Sequence, residues 1–246
     1  MTDVLTRRRT GSVAGALLLS AMVAAQVATG LQPRPIGLTS LVVILLALSS
    51  VAFAAAACGL RRAVSAFASA AALGYGSELL GVTTGVPFGD YAYTAVLQPQ
   101  LFGVPVIVPL AWAGMGLAAY AVARGTGLTR IGLGAVALTA WDLFLDPQMI
   151  RLGLWAWEHD GPYRGVPLTN FAGWLVVSFL MMALIHALAR DTAGDTGLVT
   201  VYTVMAVMET LGFALVFQPP DPLVAACGGM AMGAFAVLAW RRRWQR

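Results

Sequence analysis

Residues 38–59 read LTSLVVILLALSSVAFAAAACG and run straight into Leu60-Arg61-Arg62. A membrane span needs about 20 mostly apolar residues, and this run supplies them without one charged side chain. Hydrocarbon offers no water to pair backbone N–H and C=O groups, so the run must satisfy them internally, as a helix. The arginine pair that stops it is a topology signal. Further runs of this kind lie at about 12–31, 63–81, 104–123, 128–146, 170–189, 197–217 and 223–240. They predict an all-α fold, a polytopic transmembrane bundle of about eight helices forming a single integral membrane domain over residues 1–246.

Composition agrees. The chain of 246 residues is 59% hydrophobic and 11% charged, against about 25% charged residues in a soluble domain. A net charge of +4 raises the question of nucleic acid, but every basic residue is an arginine and the arginines cluster at the ends of apolar runs. With the N-terminus in the cytoplasm, the inner side holds twelve arginines and the outer side three, Arg34, Arg151 and Arg164. That imbalance predicts a multi-pass protein of the cell membrane with both termini cytoplasmic. Cys58 and Cys227 lie inside apolar runs and read as small packing residues. The run after Arg7-Arg8-Arg9 is long for a signal peptide and is expected to remain as a first helix.

The two longest seams, 82–103 and 147–169, fall on the outer side and are rich in Trp, Tyr, Gly and Pro. Their length predicts structured, partly re-entrant caps over a cavity. They also belong to a repeat. The first copy reads Glu78, Tyr91-Ala92-Tyr93, Gly103-Val104-Pro105, Trp112; the second reads Asp142, Trp155-Ala156-Trp157, Gly165-Val166-Pro167, Trp174. Acid to first aromatic is thirteen residues in both, and glycine to final Trp is nine in both. Repeat units of about 63–123 and 128–189 would run parallel, making Glu78 and Asp142 counterparts across an axis along the membrane normal. Glu209-Thr210-Leu211-Gly212 is a weaker third copy.

An acid within a span costs roughly 2.5–3.5 kcal/mol at the bilayer centre. Glu78, Asp142 and Glu209 lie in helices, and Asp146 ends one at Asp146-Pro147. Asp142 and Asp146 share a helix face at i, i+4. No cation sits in these spans, which leaves Arg151 and Arg164 as candidate partners. A protonated carboxyl beside a carboxylate is an acid–base pair. Such a pair suits addition of water to an unactivated double bond: the acid protonates one carbon, aromatic faces stabilise the tertiary cation, and the carboxylate directs water to it. Helix–helix hydrogen bonding is the plainer reading of the same acids.

Other chemistries fit less well. Di-iron hydroxylases need many histidines, and only His159 and His186 are present; no metal site is expected. His186, near the inner helix end, reads as a packing residue, and His159 as part of a solvated loop. Gly132 to Ala137 imitates a dinucleotide fingerprint, but lies mid-span with no preceding strand. Asp142-Leu-Phe-Leu-Asp146 imitates a magnesium-diphosphate motif without its companion motif or any lysine. Gly229 and Gly233 form a small-xxx-small helix-packing pair.

Gly85-Val-Pro-Phe-Gly89-Asp90-Tyr91-Ala-Tyr93, Gly103-Val-Pro105 with Pro109-Leu-Ala-Trp112, Asp142-Leu-Phe-Leu-Asp146-Pro147, Trp155-Ala-Trp157, and Gly165-Val-Pro167 with Asn170-Phe171-Ala-Gly173-Trp174 together resemble the carotenoid biosynthesis membrane proteins. That family includes bisanhydrobacterioruberin hydratase and carotenoid 1,2-hydratase types. The resemblance covers about residues 74–180. It implies a cofactor-independent hydratase (a hydro-lyase) that adds water to the terminal isopropylidene bond of an acyclic isoprenoid, a C50 bacterioruberin precursor or a lycopene or gamma-carotene type. Its partners would be the carotenoid, the bilayer and other membrane enzymes of the pathway, with no nucleic acid. The residues expected to act come from the reading above: Glu78 and Asp142 as the proton donor and water-directing pair in either order, with Asp90 and Asp146 as further acids. Tyr91, Tyr93, Trp112, Trp141, Trp155, Trp157 and Trp174 would line the polyene end or the cation, and Asn170 would position water or a carboxyl. Two alternatives start from the same residues: an end-group cyclase, in which a neighbouring double bond captures the cation, and a non-catalytic carotenoid or lipid carrier, whose acids would all be salt-bridged.

Overall fold

The computed structural model describes residues 2–32 and 36–244; Arg34 and Arg246, counted in the charge balance above, lie outside that range. Eight α-helices are formed among the described residues: α1 (Thr2–Gly30), α2 (Ile36–Cys58), α3 (Leu60–Thr84), α4 (Ile107–Val122), α5 (Gly127–Arg151), α6 (Leu168–Ala189), α7 (Thr196–Leu211) and α8 (Pro222–Trp244). Six of them, α1, α2 and α5 to α8, are long and apolar enough to cross a membrane. Their outward faces carry exposed Leu48, Val176, Leu180, Val207, Met230 and Val237, the surface a lipid-facing bundle requires.

The remaining two helices are special for physical reasons. Helix α4 has 16 residues, about 24 Å at 1.5 Å per residue, and every residue from Ala111 to Val122 is buried. It is the axis of the bundle, surrounded by protein rather than lipid, so it need not match the bilayer. Gly114 lets it approach α2, since a Cβ there would stand 3.1 Å from Ala47 Cα. Helix α3 buries Ala63, Ala66, Ala70, Gly74, Ser77, Glu78 and Gly81, a helical stripe of mostly small residues. Small residues let backbones close without bulky side chains between them, and Glu78 rides inward on that stripe.

Two expected boundaries moved. Helix α5 does not stop at Asp146-Pro147 but continues to Arg151. Pro147 has no N–H for the carbonyl of Leu143, and the Tyr163 hydroxyl donates to that carbonyl instead, at 3.0 Å. Helix α7 passes into a π-helical turn at Gly212–Val216, so the single run expected over 197–217 is two elements. On α8, Gly228 and Gly229 approach Phe144 and Thr210, whereas Gly233 meets nothing within 4 Å; the expected Gly229–Gly233 packing pair does not form.

The two seams carry short strands, β1 (Tyr91–Tyr93), β2 (Gln100–Leu101), β3 (Val104–Pro105) and β4 (Trp155–Trp157). Strands β2 and β3 form a small hairpin, and β1 pairs with β4 antiparallel, one strand from each seam. The register sets Tyr91 against Trp157, Ala92 against Ala156 and Tyr93 against Trp155. Each tyrosine thus faces the tryptophan that matches the other tyrosine in the sequence spacing. At the opposite end of the bundle Arg62 pairs with Asp191 at 2.9 Å, tying the α2–α3 turn to the short 3-10 turn after α6.

Candidate active site

Alternate residues of a strand face opposite sides. Tyr91, Tyr93, Trp155 and Trp157 therefore all turn toward the bundle, while Ala92 and Ala156 are exposed. These four aromatics roof a cavity of about 70 Å³ between α2, α3, α4, α5 and α6. Trp112, Trp141, Trp174 and Asn170 also line it, with Glu78 and Asp146 as its acids. Trp112 and Trp174, the last residues of the two repeat copies, stack at 3.8 Å between ring centroids with 20° between planes. Trp141 meets Trp174 edge to face at 6.2 Å.

Glu78 lies on the α3 stripe where Gly74 and Gly81 clear the space for its partners. A Cβ at Gly74 would stand 2.9 Å from Trp112, and one at Gly81 2.8 Å from the Tyr91 hydroxyl. The carboxyl accepts from the Tyr91 hydroxyl, from the Tyr93 hydroxyl at 2.7 Å and from Trp112 Nε1 at 2.8 Å. Three donors and no acceptor are the complement of an ionised carboxylate. Burial first, and then the charge of Glu78, push both phenols well above their usual range, so both stay hydroxyl donors.

The second copy is built differently. Asp142 and Asp146, one turn apart on α5, lie within hydrogen-bonding reach of each other. Asn170 Nδ2 donates to Asp142 Oδ2 at 2.8 Å and also to Asp146 Oδ2. One amide donor thus bridges two neighbouring buried carboxyls, and Asp142 Oδ1 accepts no hydrogen bond; such a pair is suited to sharing a proton, because two anions side by side would repel. Asp146 faces the cavity, whereas Asp142 stands behind it. The repeat spacing explains the asymmetry. The positions equivalent to Asp146 and Asn170 in the first copy are Val82 and Val108, so only one half can build a dyad. The cavity thus sets a carboxyl with three donors against an Asn170-bridged carboxyl pair.

Of the twelve residues singled out above, ten line the cavity and Asp142 supports it. Asp90 does not join them. It is exposed, and lies in an outer groove beside Glu158. Glu209 is buried in α7 with Oε2 unpartnered and does not reach the cavity, so the weak third copy contributes nothing there. Arg151 and Arg164 do not pair with the buried acids. Arg151 donates to the Pro219 carbonyl and lies over Phe213 and Phe217. Arg164 binds Asp221 at 2.7 Å. His186 meets the Tyr120 hydroxyl at 2.7 Å on the far side of the bundle from the seams. Among the described residues no three His, Cys, Asp or Glu side chains group to hold a metal ion. The sequence reading missed the α2 wall, Thr39, Ser40 and Val43, and also Leu97, Leu145 and Met149. No polar motif marks them; their signal is only that α2 must pack somewhere.

Over residues 38–236 the chain matches the family described as carotenoid biosynthesis protein. It is also similar to the bisanhydrobacterioruberin hydratase of Haloarcula japonica, at 35% identity over 143 residues, covering 54% of this chain and 48% of that protein. The chain thus matches about half the length of that curated relative. No solved structure matches the chain significantly.

Proposed function

This chain belongs to the carotenoid biosynthesis protein family, and on that premise we propose that it is a carotenoid hydratase acting by carboxyl acid–base chemistry. One observation carries the reading: the Asp142–Asp146–Asn170 dyad and the Glu78 carboxylate converge on one aromatic-walled cavity, and none of the three carboxyls is in an ion pair among the described residues. A carrier whose acids were all salt-bridged would look different.

The substrate is an acyclic carotenoid presenting its terminal isopropylidene group. Asp146, holding the dyad proton, delivers it to the CH carbon of the double bond. The π electrons form the new C–H bond and leave a tertiary cation on the carbon bearing the two methyls. The indole faces of Trp112, Trp141 and Trp174 stabilise that cation; a desolvated cation over an aromatic face is worth about 2 kcal/mol or more. Water attacks the cation, and Glu78 takes a proton from it as the C–O bond forms. Return of that proton from Glu78 to the dyad restores the site, and the product is a tertiary alcohol. Tyr91, Tyr93 and Trp112 hold Glu78 in place, so it points one oxygen at water without reorganising. The arginine imbalance supports a cytoplasmic location for the Arg62–Asp191 end, with the cavity in the outer half of the cell membrane.

The test is expression in cells that accumulate lycopene or the C50 precursor, followed by mass spectrometry of the pigment. A gain of one water per end is expected. Unchanged mass with a shifted spectrum would replace hydration by cyclisation, and no change with either precursor in expressing cells would refute both.

A further inference from the structure

A cavity of about 70 Å³ takes a handful of waters, at about 10–15 Å³ each on this measure, or a small branched alkene end, and is several-fold smaller than the space of about 360 Å³ beside it. Resting on the hydratase reading above, we infer that the polyene tail lies in a separate gallery bounded by α1 and the π-helical turn. A second cavity of about 360 Å³ adjoins the first and shares Thr39, Val43, Trp141, Leu145 and Met149 with it as common wall. It runs between α1 and α2 on one side and α5, α7 and the π-helical turn on the other. Apart from Gln26, Thr29, Thr39 and Gln148 its lining is apolar or glycine, which suits a hydrocarbon.

The gallery has two physical ends. The inner one is the shared wall beside the carboxyl cavity. At the other, a third space of about 540 Å³ shares Thr29, Gly30, Gln148 and Phe217 with the gallery and is rimmed by Arg151 and Gln218. An alkene seated with its last double bond at Asp146 would leave through the apolar gallery toward this polar mouth. The π-helical turn widens the α7 backbone where the gallery passes, a distortion that recurs at functional sites. Helix α1 lies outside the matched range 38–236, so one wall of the gallery comes from beyond the segment shared with the family. That wall sets which tail length and shape are accepted.

Val42 and Val27 line the gallery and not the carboxyl cavity, and Val27 is 53% exposed, so a large side chain there need not disturb the core. The purified full-length chain in detergent is titrated with lycopene, and binding is read from the induced circular dichroism of the bound polyene. The wild type is expected to bind, and V42W and V27W to bind at least about tenfold more weakly while keeping the wild-type elution volume and unfolding temperature. If V42W fails to fold, V27W carries the test alone. Wild-type affinity in a folded V27W, or no lycopene binding by the wild type, overturns the gallery. The hydratase reading fails separately, if lycopene binds but never gains water.

Discussion

Replacing Glu78 by glutamine changes almost no volume and removes one property, the ability of both oxygens to accept. The carboxylate takes hydrogen bonds from Tyr91, from Tyr93 at 2.7 Å and from Trp112 at 2.8 Å. The two hydroxyls converge on Oε2, so the amide oxygen of the introduced side chain would stay with them. Its NH2 then faces Trp112 Nε1–H, a donor against a donor, and leaves a buried indole N–H unpaired. That costs about 1–3 kcal/mol of stability, which a folded membrane protein can survive. Catalysis loses more, because an amide cannot take a proton from water; removal of a positioned base costs about 10²–10⁴-fold in rate. The assay is pigment mass against time in membranes carrying equal amounts of folded wild type and E78Q. Hydration by E78Q within threefold or so of wild type, a loss far below that range, would show that Glu78 is a packing residue and would remove the base from the mechanism.

Other outcomes follow from the same geometry. D146N should lower hydration by about 10²–10⁴-fold, and D142N by less, because Asp146 faces the cavity and Asp142 acts through Asn170 and Asp146; pigment mass in the two variants ranks them, and a milder D146N would reverse the assignment. Y163F frees the Leu143 carbonyl that Pro147 cannot serve, and should cost about 1–3 kcal/mol, seen as a lower unfolding temperature in detergent. Arg164 holds Asp221, which also caps α8 through the N–H of Val224. Burial alone would raise the Asp221 carboxyl, but the Arg164 and backbone hydrogen bonds outweigh it and keep it below the usual aspartate range. A depressed folded value contributes stability above the ordinary value of about 3.9, and that stability is lost as pH falls toward the depressed one. R164A should therefore lower stability at pH 7, where the contribution is fully present, by about 0–1 kcal/mol for a pair whose arginine is half exposed, and the difference from wild type should vanish as pH falls below the depressed value.

The helices and the membrane solvent were legible residue by residue, because an apolar run in lipid has one way to pair its backbone. The acids and aromatics were legible because each is expensive at that depth unless it is used. Pairing of β1 with β4 was latent in the Tyr-Ala-Tyr and Trp-Ala-Trp spacing, since a period of two puts both large residues of each strand on one face. What escaped were choices among equals. Asp90 sits one residue from Tyr91 in the same motif, yet turns outward over Gly85. Pro147 was expected to end α5, and a tyrosine sixteen residues on rescues the carbonyl it strands. Arg151 and Arg164 were expected to meet the buried acids and found the loop before α8 instead.

By itself, then, the amino-acid order determined that this protein is built of apolar helices suited to lipid, that one pattern of acid, paired aromatics, Gly-Val-Pro and Trp occurs twice, and which side chains were costly enough to need partners. Only the tertiary structure decided which carboxyl received three donors, which two were bridged by Asn170, and which apolar side chains face a cavity. The reason is that partition into a membrane is a property of each segment, whereas hydrogen bonding between helices and the shape of an empty space depend on how several segments, distant in the chain, are turned toward one another.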